Sequence, residues 1–266
     1  MKGISLIIVS TDCFQNISAR FGDLSKCNRS ILEIIVVNDG TEKWPVNHPC
    51  LKVINFNGKG YCLAAARNIG ASVATSSHLW FLDDDCILDT TLVKSINFLD
   101  YYESVLFGPR IQVNKRMNAR LEELVLQSQQ CALNVGDEVR FGSIVENNMI
   151  IPKDTFEKLG GFVTALKVYG LVGQEFLYRL DRIGVKCLFH NELVVYHTNL
   201  LTRKGFIGNV KKRRHILLAR MFYPLIFSDQ FQNGNSRKSV NLKYWSLREI
   251  ILNLFVSILI FIKKRI

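Results

Sequence analysis

Three consecutive carboxylates, Asp83, Asp84 and Asp85, follow an apolar run that ends at Leu82. Carboxylates packed this closely repel one another and raise each other's pKa, so a divalent cation or a cationic ligand would stabilise them. Hard oxygen ligands of this kind suit Mg²⁺ or Mn²⁺, which would bridge to a substrate diphosphate. The alternative is a solvated turn in which an Asp caps the helix that follows.

Two further segments carry groups that could act with this cluster. The apolar run Ile34–Val37 leads into Asp39 and a glycine, which places one carboxylate after a strand, although Asp before Gly is also a routine turn. The small-residue segment Ala64–Gly70 presents Arg67. A cation there would meet either the acids or a phosphate, unless it is a plain surface charge.

These groups need a scaffold, and the first hundred residues alternate strand-like runs with helix-like stretches. That alternation predicts a mostly parallel sheet with crossover helices, an α/β fold. In open sheets of this kind ligands bind at the carboxyl ends of the strands, where the groups described above lie. The four predicted strands are Ser5–Val9, Ile31–Asn38, Leu51–Phe56 and His78–Leu82.

Residues 104–197 mix strand signals with one helical stretch, predicted at Asn118–Cys131. No linker separates this part from residues 1–103, so we expect one compact domain over residues 1–197, followed by a helical tail over residues 198–266. The predicted strands of the second part are Val105–Phe107, Val145–Ile151 and Val185–Phe189.

Composition is typical of a packed globule, with 48% hydrophobic and 21% charged residues, which excludes a disordered or collagen-like chain. The net charge of +11 is concentrated in residues 204–266, which hold 13 of the 34 Lys and Arg and 2 of the 23 Asp and Glu. Seven cysteines without a C-x-x-C pair fit neither a disulfide framework nor a cysteine zinc site, so a reducing cytosol is expected. The first apolar run, Ile4–Val9, is too short for a signal-peptide core.

In their order and spacing, these motifs resemble the nucleotide-binding half of family 2 glycosyltransferases of the GT-A fold. That family has a strand ending in Asp-Asp-Gly, an Ala-rich helix with Arg-Asn and a strand ending in Asp-x-Asp. The resemblance continues through Glu146–Pro152 and Phe156–Phe162, which look like the segment that lines the acceptor side. It implies a GT-A fold in which residues 1–103 bind the nucleotide sugar and residues 104–197 form the acceptor half.

The resemblance also implies a role for each matched residue. Asp39 would contact the nucleotide base, Asp83 the ribose and Asp85 a divalent metal, Mn²⁺ or Mg²⁺. His197 lies where several members place a second metal ligand, although a lone His after a strand is otherwise structural. The other positions that match nucleotide-contacting residues are Ser10, Lys59 and Arg67.

One departure concerns the catalytic base. Many members carry Glu-Asp-x-Glu-Phe-x-Tyr-Arg-Leu, whose Asp deprotonates the acceptor, whereas this chain has Val172 and Gly173 in place of the Glu-Asp pair. An inverting transfer needs a base within hydrogen-bond reach of the attacking hydroxyl, and Glu175 is the nearest candidate in the motif. It is equally a helix-start carboxylate that interacts with the dipole and Arg179. A sugar-nucleotide-binding protein or partner subunit without turnover is therefore the alternative.

The tail combines basic clusters with apolar segments, such as Lys211–Arg214 and the run Ile250–Ile262 before Lys263–Arg265. That run is shorter than the ~20 residues of a spanning helix. It suits an in-plane anchor on an anionic membrane surface, with packing on the domain or dimer formation as the alternative. Nucleic acid is not an expected partner, because no nucleic-acid motif accompanies the basic residues.

Together these features predict an inverting transfer of a sugar from a nucleoside diphosphate sugar, with a UDP-sugar favoured. The expected acceptor is a hydroxyl of a glycan or lipid-linked acceptor in surface polysaccharide synthesis, at the cytoplasmic face of the cell membrane. A nucleotidyltransferase, which also uses metal-binding carboxylates on an α/β sheet, is a more distant alternative.

Overall fold

Ten strands form two sheets in the computed structural model, which describes residues 3–22, 24, 28–56, 63–112, 133–139, 146–164 and 172–197. The strands are β1 Ile4–Ser10, β2 Ile31–Asn38, β3 Lys52–Asn55, β4 His78–Asp83, β5 Cys86–Leu88, β6 Val105–Phe107, β7 Arg110–Gln112, β8 Asn148–Pro152, β9 Cys187–Phe189 and β10 Val195–His197. The helices are α1 Phe14–Phe21, α2 Leu63–Val73, α3 Thr90–Ser95, α4 Lys153–Lys158 and α5 Val172–Arg182, with a 3₁₀ turn at Phe98–Tyr101.

The larger sheet has seven strands in the order β3-β2-β1-β4-β8-β6-β9. Every neighbouring pair is parallel except those of β8, which runs antiparallel to β4 and β6. The predicted α/β fold with a mostly parallel sheet is therefore confirmed. In the smaller sheet β10 lies between β5, to which it is antiparallel, and β7, to which it is parallel.

Two buried apolar clusters cover the two faces of the larger sheet. Along β1, Leu6 and Ile8 belong to one cluster and Ile7 to the other, as the alternation of a strand requires. Helix α2 packs closely on the Ile7 face because its residues are small. A Cβ at Gly70 would lie 2.6 Å from Ile7 Cγ2, so the position tolerates no side chain. This close packing holds the helix that carries Arg67 against the sheet.

Strand boundaries differ from the predictions mainly in the second half. The strand predicted at Val145–Ile151 is observed at Asn148–Pro152, where Pro152 is also the N-cap residue of α4. The predicted helix Asn118–Cys131, the position of Lys59 and the tail over residues 198–266 lie outside the described residues.

Within the described segments, no helix combines the length and apolar character needed to span a membrane.

Candidate active site

Three of the predicted site residues lie at one edge of the larger sheet, because β1 runs between β2 and β4. Ser10 pairs in register with Asn38 on one side, and the preceding residue of β1 pairs with Asp83 on the other. The backbone N–H of Asp39 donates to the carbonyl of Ser10 over 2.9 Å. The carboxyl ends of three parallel strands thus bring Ser10, Asp39 and Asp83 to the same place.

The turn that carries Asp39 is fixed by the side chain of Asn38, which is buried. Asn38 Oδ1 accepts from the backbone N–H of Gly40 at 2.8 Å, and its Nδ2 donates to Asn55 Oδ1 at 2.9 Å. The turn after β2 is therefore tied to the end of β3. Asp39 is held in a defined position at the rim of the sheet.

Arg67 joins the two halves of the site from the buried face of α2. Its side chain is 3% exposed, with Nη2 at 2.8 Å from Asp83 Oδ1 and Nη1 at 3.2 Å from Glu146 Oε1. The guanidinium carbon also lies 5.3 Å from the ring centroid of Phe162. Arg67 is therefore buried against the acids and is not the plain surface charge of the alternative interpretation, while a contact with phosphate stays a prediction.

The mutual repulsion expected within the Asp cluster is present. Burial raises the pKa of Asp83, the Arg67 guanidinium opposes that rise, and the charges of Asp85 and Glu146 add to it. Burial likewise raises the pKa of Asp84 to about 6, against the hydrogen bond that the Ser10 hydroxyl donates at 2.5 Å. A cation bound here would relieve this accumulated negative charge.

The cluster is not the helix cap that the alternative interpretation proposed. The cap of α3 is Asp89, whose Oδ1 accepts from the backbone N–H groups of Thr91 at 3.2 Å and Leu92 at 3.1 Å. Its Oδ2 accepts from the hydroxyl of Tyr196 at 3.0 Å. The capping function therefore falls to a carboxylate beyond the cluster.

His197 reaches the cluster through the smaller sheet. In the antiparallel pairing of β10 with β5, His197 lies opposite Cys86, the residue after Asp85. This register brings His197 Nε2 to 2.9 Å from Asp85 Oδ2. The two predicted metal ligands, distant in sequence, are therefore neighbours in space.

This donor set fits a divalent cation of the Mn²⁺ class, which accepts both carboxylate oxygen and imidazole nitrogen. Among the described residues, no group of three or more His, Cys, Asp or Glu side chains is arranged as a complete metal site. Asp85 and His197 would accordingly hold part of the coordination sphere, and diphosphate oxygens of a bound substrate are suitable for the rest.

Glu175 lies in the first turn of α5 and is largely buried, with 9% of its side chain exposed. Arg179 engages both of its carboxylate oxygens, with Nε at 2.6 Å from Oε1 and Nη2 at 2.8 Å from Oε2. Arg179 also donates to the carbonyls of Leu159 and Gly161. This geometry favours the structural alternative for Glu175, while its role as base stays a prediction.

Glu146 is the site residue whose role sequence reasoning missed. It was noted only as the start of an acceptor-side segment, yet it shares Arg67 with Asp83. Its carboxyl group also lies against Gly173, so closely that a Cβ built on this glycine would overlap it. The sequence feature that could have indicated this role is Gly173, which stands in the position where the family's motif has an acid.

The sequence matches a known family, and the fold resembles solved structures. The family model described as "Glycosyl transferase family 2" matches residues 5–179. No curated protein matches the chain closely enough to count as a relative.

Solved structures resemble the chain in fold at low sequence identity. S. aureus TarS 1-349 in complex with UDP-GlcNAc has a TM-score of 0.58 and 16% identity over 82% of this chain and 67% of its own. The mannosyltransferase PcManGT from Pyrobaculum calidifontis, with GDP-Man and Mn²⁺, has a TM-score of 0.53 and 15% identity over 88% and 65%. GalNAc-T7 with UDP, GalNAc and Mn²⁺ has a TM-score of 0.54 and 18% identity over 74% and 44%. These likenesses show a GT-A-like fold.

Proposed function

This chain belongs to glycosyl transferase family 2, and we infer that it transfers a sugar from a nucleotide sugar. On that premise we propose an inverting transfer from a UDP-sugar to a hydroxyl of a glycan or lipid-linked acceptor in surface polysaccharide synthesis. UDP is favoured because TarS and GalNAc-T7 were solved with UDP-GlcNAc and UDP respectively, whereas PcManGT was solved with GDP-Man. The chain spans only part of each of these proteins, so donor and acceptor both need a direct test.

The observation that carries the proposal is the meeting of Asp39, Asp83, Asp85 and His197 at the ends of β2, β4 and β10. In the proposed complex Asp39 would bind the nucleotide base and Asp83 the ribose. Ser10 would support the cluster through the hydrogen bond its hydroxyl donates to Asp84. Lys59 remains a proposed nucleotide contact from outside the described residues.

Asp85 and His197 would hold a divalent cation, Mn²⁺ or Mg²⁺, which when bound stabilises the negative charge that develops on the leaving diphosphate. Arg67 keeps Asp83 in position for the ribose, because its buried guanidinium neutralises that carboxylate over 2.8 Å. Proximity would contribute the rest of the rate enhancement, since donor and acceptor would be held together at one edge of the sheet.

The test is a screen of UDP- and GDP-sugars with purified protein and Mn²⁺. It must score both nucleoside diphosphate release and a new glycoside, because release alone would report hydrolysis. The matched control is the Asp85→Ala protein prepared in the same way, which should form no product. Donor binding without any product, for all donors and acceptors tried, would support the second candidate, a sugar-nucleotide-binding protein without turnover.

That second candidate rests on a specific observation. Gly173 stands where many family members have the acid that deprotonates the acceptor, and Arg179 occupies both oxygens of Glu175. An active enzyme would therefore need either Glu175 released from its ion pair with Arg179 or an acid from another part of the chain.

We also propose that the protein acts at the cytoplasmic side of a membrane, with the basic, apolar tail as a peripheral anchor. Each Lys or Arg near an anionic surface contributes about 1 kcal/mol to binding, and salt screens that attraction. Deleting residues 242–266 should release the protein from anionic vesicles in a sedimentation assay while nucleotide binding is retained. If the undeleted protein does not sediment with anionic vesicles, the proposal is contradicted.

A further inference from the structure

The first turn of α5 contains a position without a side chain, and a carboxylate from elsewhere fills the space. Gly173 is buried, and a Cβ built on it would overlap Cδ and both terminal oxygens of Glu146. Glu146 in this position and a side chain at position 173 therefore exclude one another, and a side chain there is possible only if Glu146 moves away. The chain thus keeps an acid at this place but supplies it from the segment before β8.

The electrostatic setting of Glu146 connects it to the donor-binding end. Arg67 donates to Glu146 Oε1 at 3.2 Å and to Asp83 Oδ1 at 2.8 Å, so one buried guanidinium fixes both carboxylates. The side chain of Glu146 is 19% exposed, and its charge acts on the pKa of Asp83. Glu146 is consequently close to the proposed sugar-nucleotide site and still accessible from solvent.

Glu146 is better placed than Glu175 to accept a proton. Both oxygens of Glu175 are bound by Arg179, so protonation would break part of a bidentate ion pair. Glu146 uses Oε1 for Arg67, and within the described part of the chain no hydrogen bond reaches its Oε2. One oxygen can therefore face an acceptor hydroxyl while the other stays anchored.

We propose that Glu146 is the general base of the transfer, an inference that rests on the proposed function. As the acceptor oxygen bonds to the anomeric carbon of the donor, its proton passes to the Glu146 carboxylate. The bond between that carbon and the diphosphate oxygen breaks, and its electron pair leaves with the nucleoside diphosphate. Glu146 then returns the proton to water.

The first experiment is Glu146→Gln, which keeps the shape of the side chain and an oxygen that can accept from Arg67. Turnover should fall by the ~10² to 10⁴ fold of a lost general base, with nucleotide affinity and melting temperature close to wild type. The matched control is Glu103→Gln, which removes an exposed carboxylate from the turn before β6 and should leave turnover unchanged. Wild-type turnover in Glu146→Gln overturns the inference.

The second experiment moves the acid back to the helix. Glu146→Ala alone should lose turnover. Adding Gly173→Asp should raise turnover at least tenfold above that of Glu146→Ala, because the alanine frees the space that a Cβ at position 173 needs. Gly173→Asn in the same background is the control, because its amide can contact Arg67 but cannot accept the proton. A purely structural role for Glu146 predicts equal recovery by Asp and Asn. A double variant no more active than Glu146→Ala overturns the inference.

Failure of the inference and failure of the proposed function give different results. Wild-type protein that binds UDP but makes no product with any donor and acceptor overturns the proposed function, and the inference with it. Active wild-type protein that loses turnover through Glu175→Gln but retains it in Glu146→Gln overturns only the inference, and assigns the base to Glu175.

Discussion

The proposed donor end and the proposed acceptor side of this site are built in different ways. At the donor end, Ser10, Asp39 and Asp83 follow neighbouring parallel strands, so the sheet itself brings them together. On the acceptor side, Glu146 precedes β8 and meets Gly173 of α5 through a packing contact that no ladder dictates. A sheet edge therefore gives a site that strand order makes predictable, whereas packing between irregular segments lets a functional group change its place in the chain.

The largest expected effect tests the donor end. Asp85→Ala should reduce turnover by about 10³-fold or more and abolish the metal dependence of UDP binding. The reason is that the divalent cation that would neutralise the diphosphate loses a ligand. Calorimetry of UDP binding with and without Mn²⁺ measures the change. Asp89→Asn is the matched control, since it alters the α3 cap and not the cluster. If UDP binding by Asp85→Ala keeps the same metal dependence, Asp83–Asp85 is a solvated turn and not part of a metal site.

The next prediction breaks the link between the two regions. Arg67→Met should lower the free energy of unfolding by about 3 kcal/mol at pH 7, because two largely desolvated carboxylates lose their shared cation. The loss should shrink toward pH 4, because burial raises the pKa of Asp83 and protonation of this acid removes a charge that Arg67 balances. Urea denaturation at the two pH values measures it. A pH-independent loss would indicate that packing on Phe162, rather than charge, is the main contribution of Arg67.

A smaller effect sharpens the description of the donor end in metal-free protein. The folded-state pKa of Asp84 is about 6, against an ordinary value of 3.8, so its ionised form destabilises the fold above pH 6. That penalty is relieved as the pH falls from about 6 toward 4, and the raised pKa of Asp83 acts in the same direction. Stability should therefore gain about 1 to 2 kcal/mol over this interval in EDTA.

Asp84→Asn provides the matched control for this pH dependence, because the amide oxygen can still accept from Ser10. Its unfolding free energy should be flatter between pH 6 and 4 than that of wild type, by thermal or urea denaturation. The same slope in both proteins would assign the effect to other groups.

Sequence reasoning succeeded where regular structure decides the outcome. The bounds of β2 and β6 were predicted to the residue, because each is an apolar run ended by a turn. The family resemblance implied that Asp85 and His197 lie close together, and the distance between Asp85 Oδ2 and His197 Nε2 is 2.9 Å. The nucleotide and metal roles of these residues stay predictions.

It failed where the deciding contact joins distant segments. Strands β5, β7 and β10 form the smaller sheet from segments far apart in the sequence, and a pattern local to each segment does not show that pairing. The partners of Arg67 depend on how α2 packs over the sheet, and both candidate partners were compatible with its sequence. The Glu146 carboxyl group lies where a side chain at position 173 would be, and only the packing of the folded chain shows this.

The pairing of β10 with β5 also has a consequence for folding kinetics. His197 and Asp85 are far apart in the sequence, and they meet only when β10 pairs with β5. Contacts between segments so distant in sequence form slowly, because the closure entropy of the long loop must be met first. We therefore expect the proposed metal-binding pair to be among the last parts of the protein to form, and the proposed Mn²⁺-dependent nucleotide binding would report the completion of folding rather than the earlier formation of the sheet.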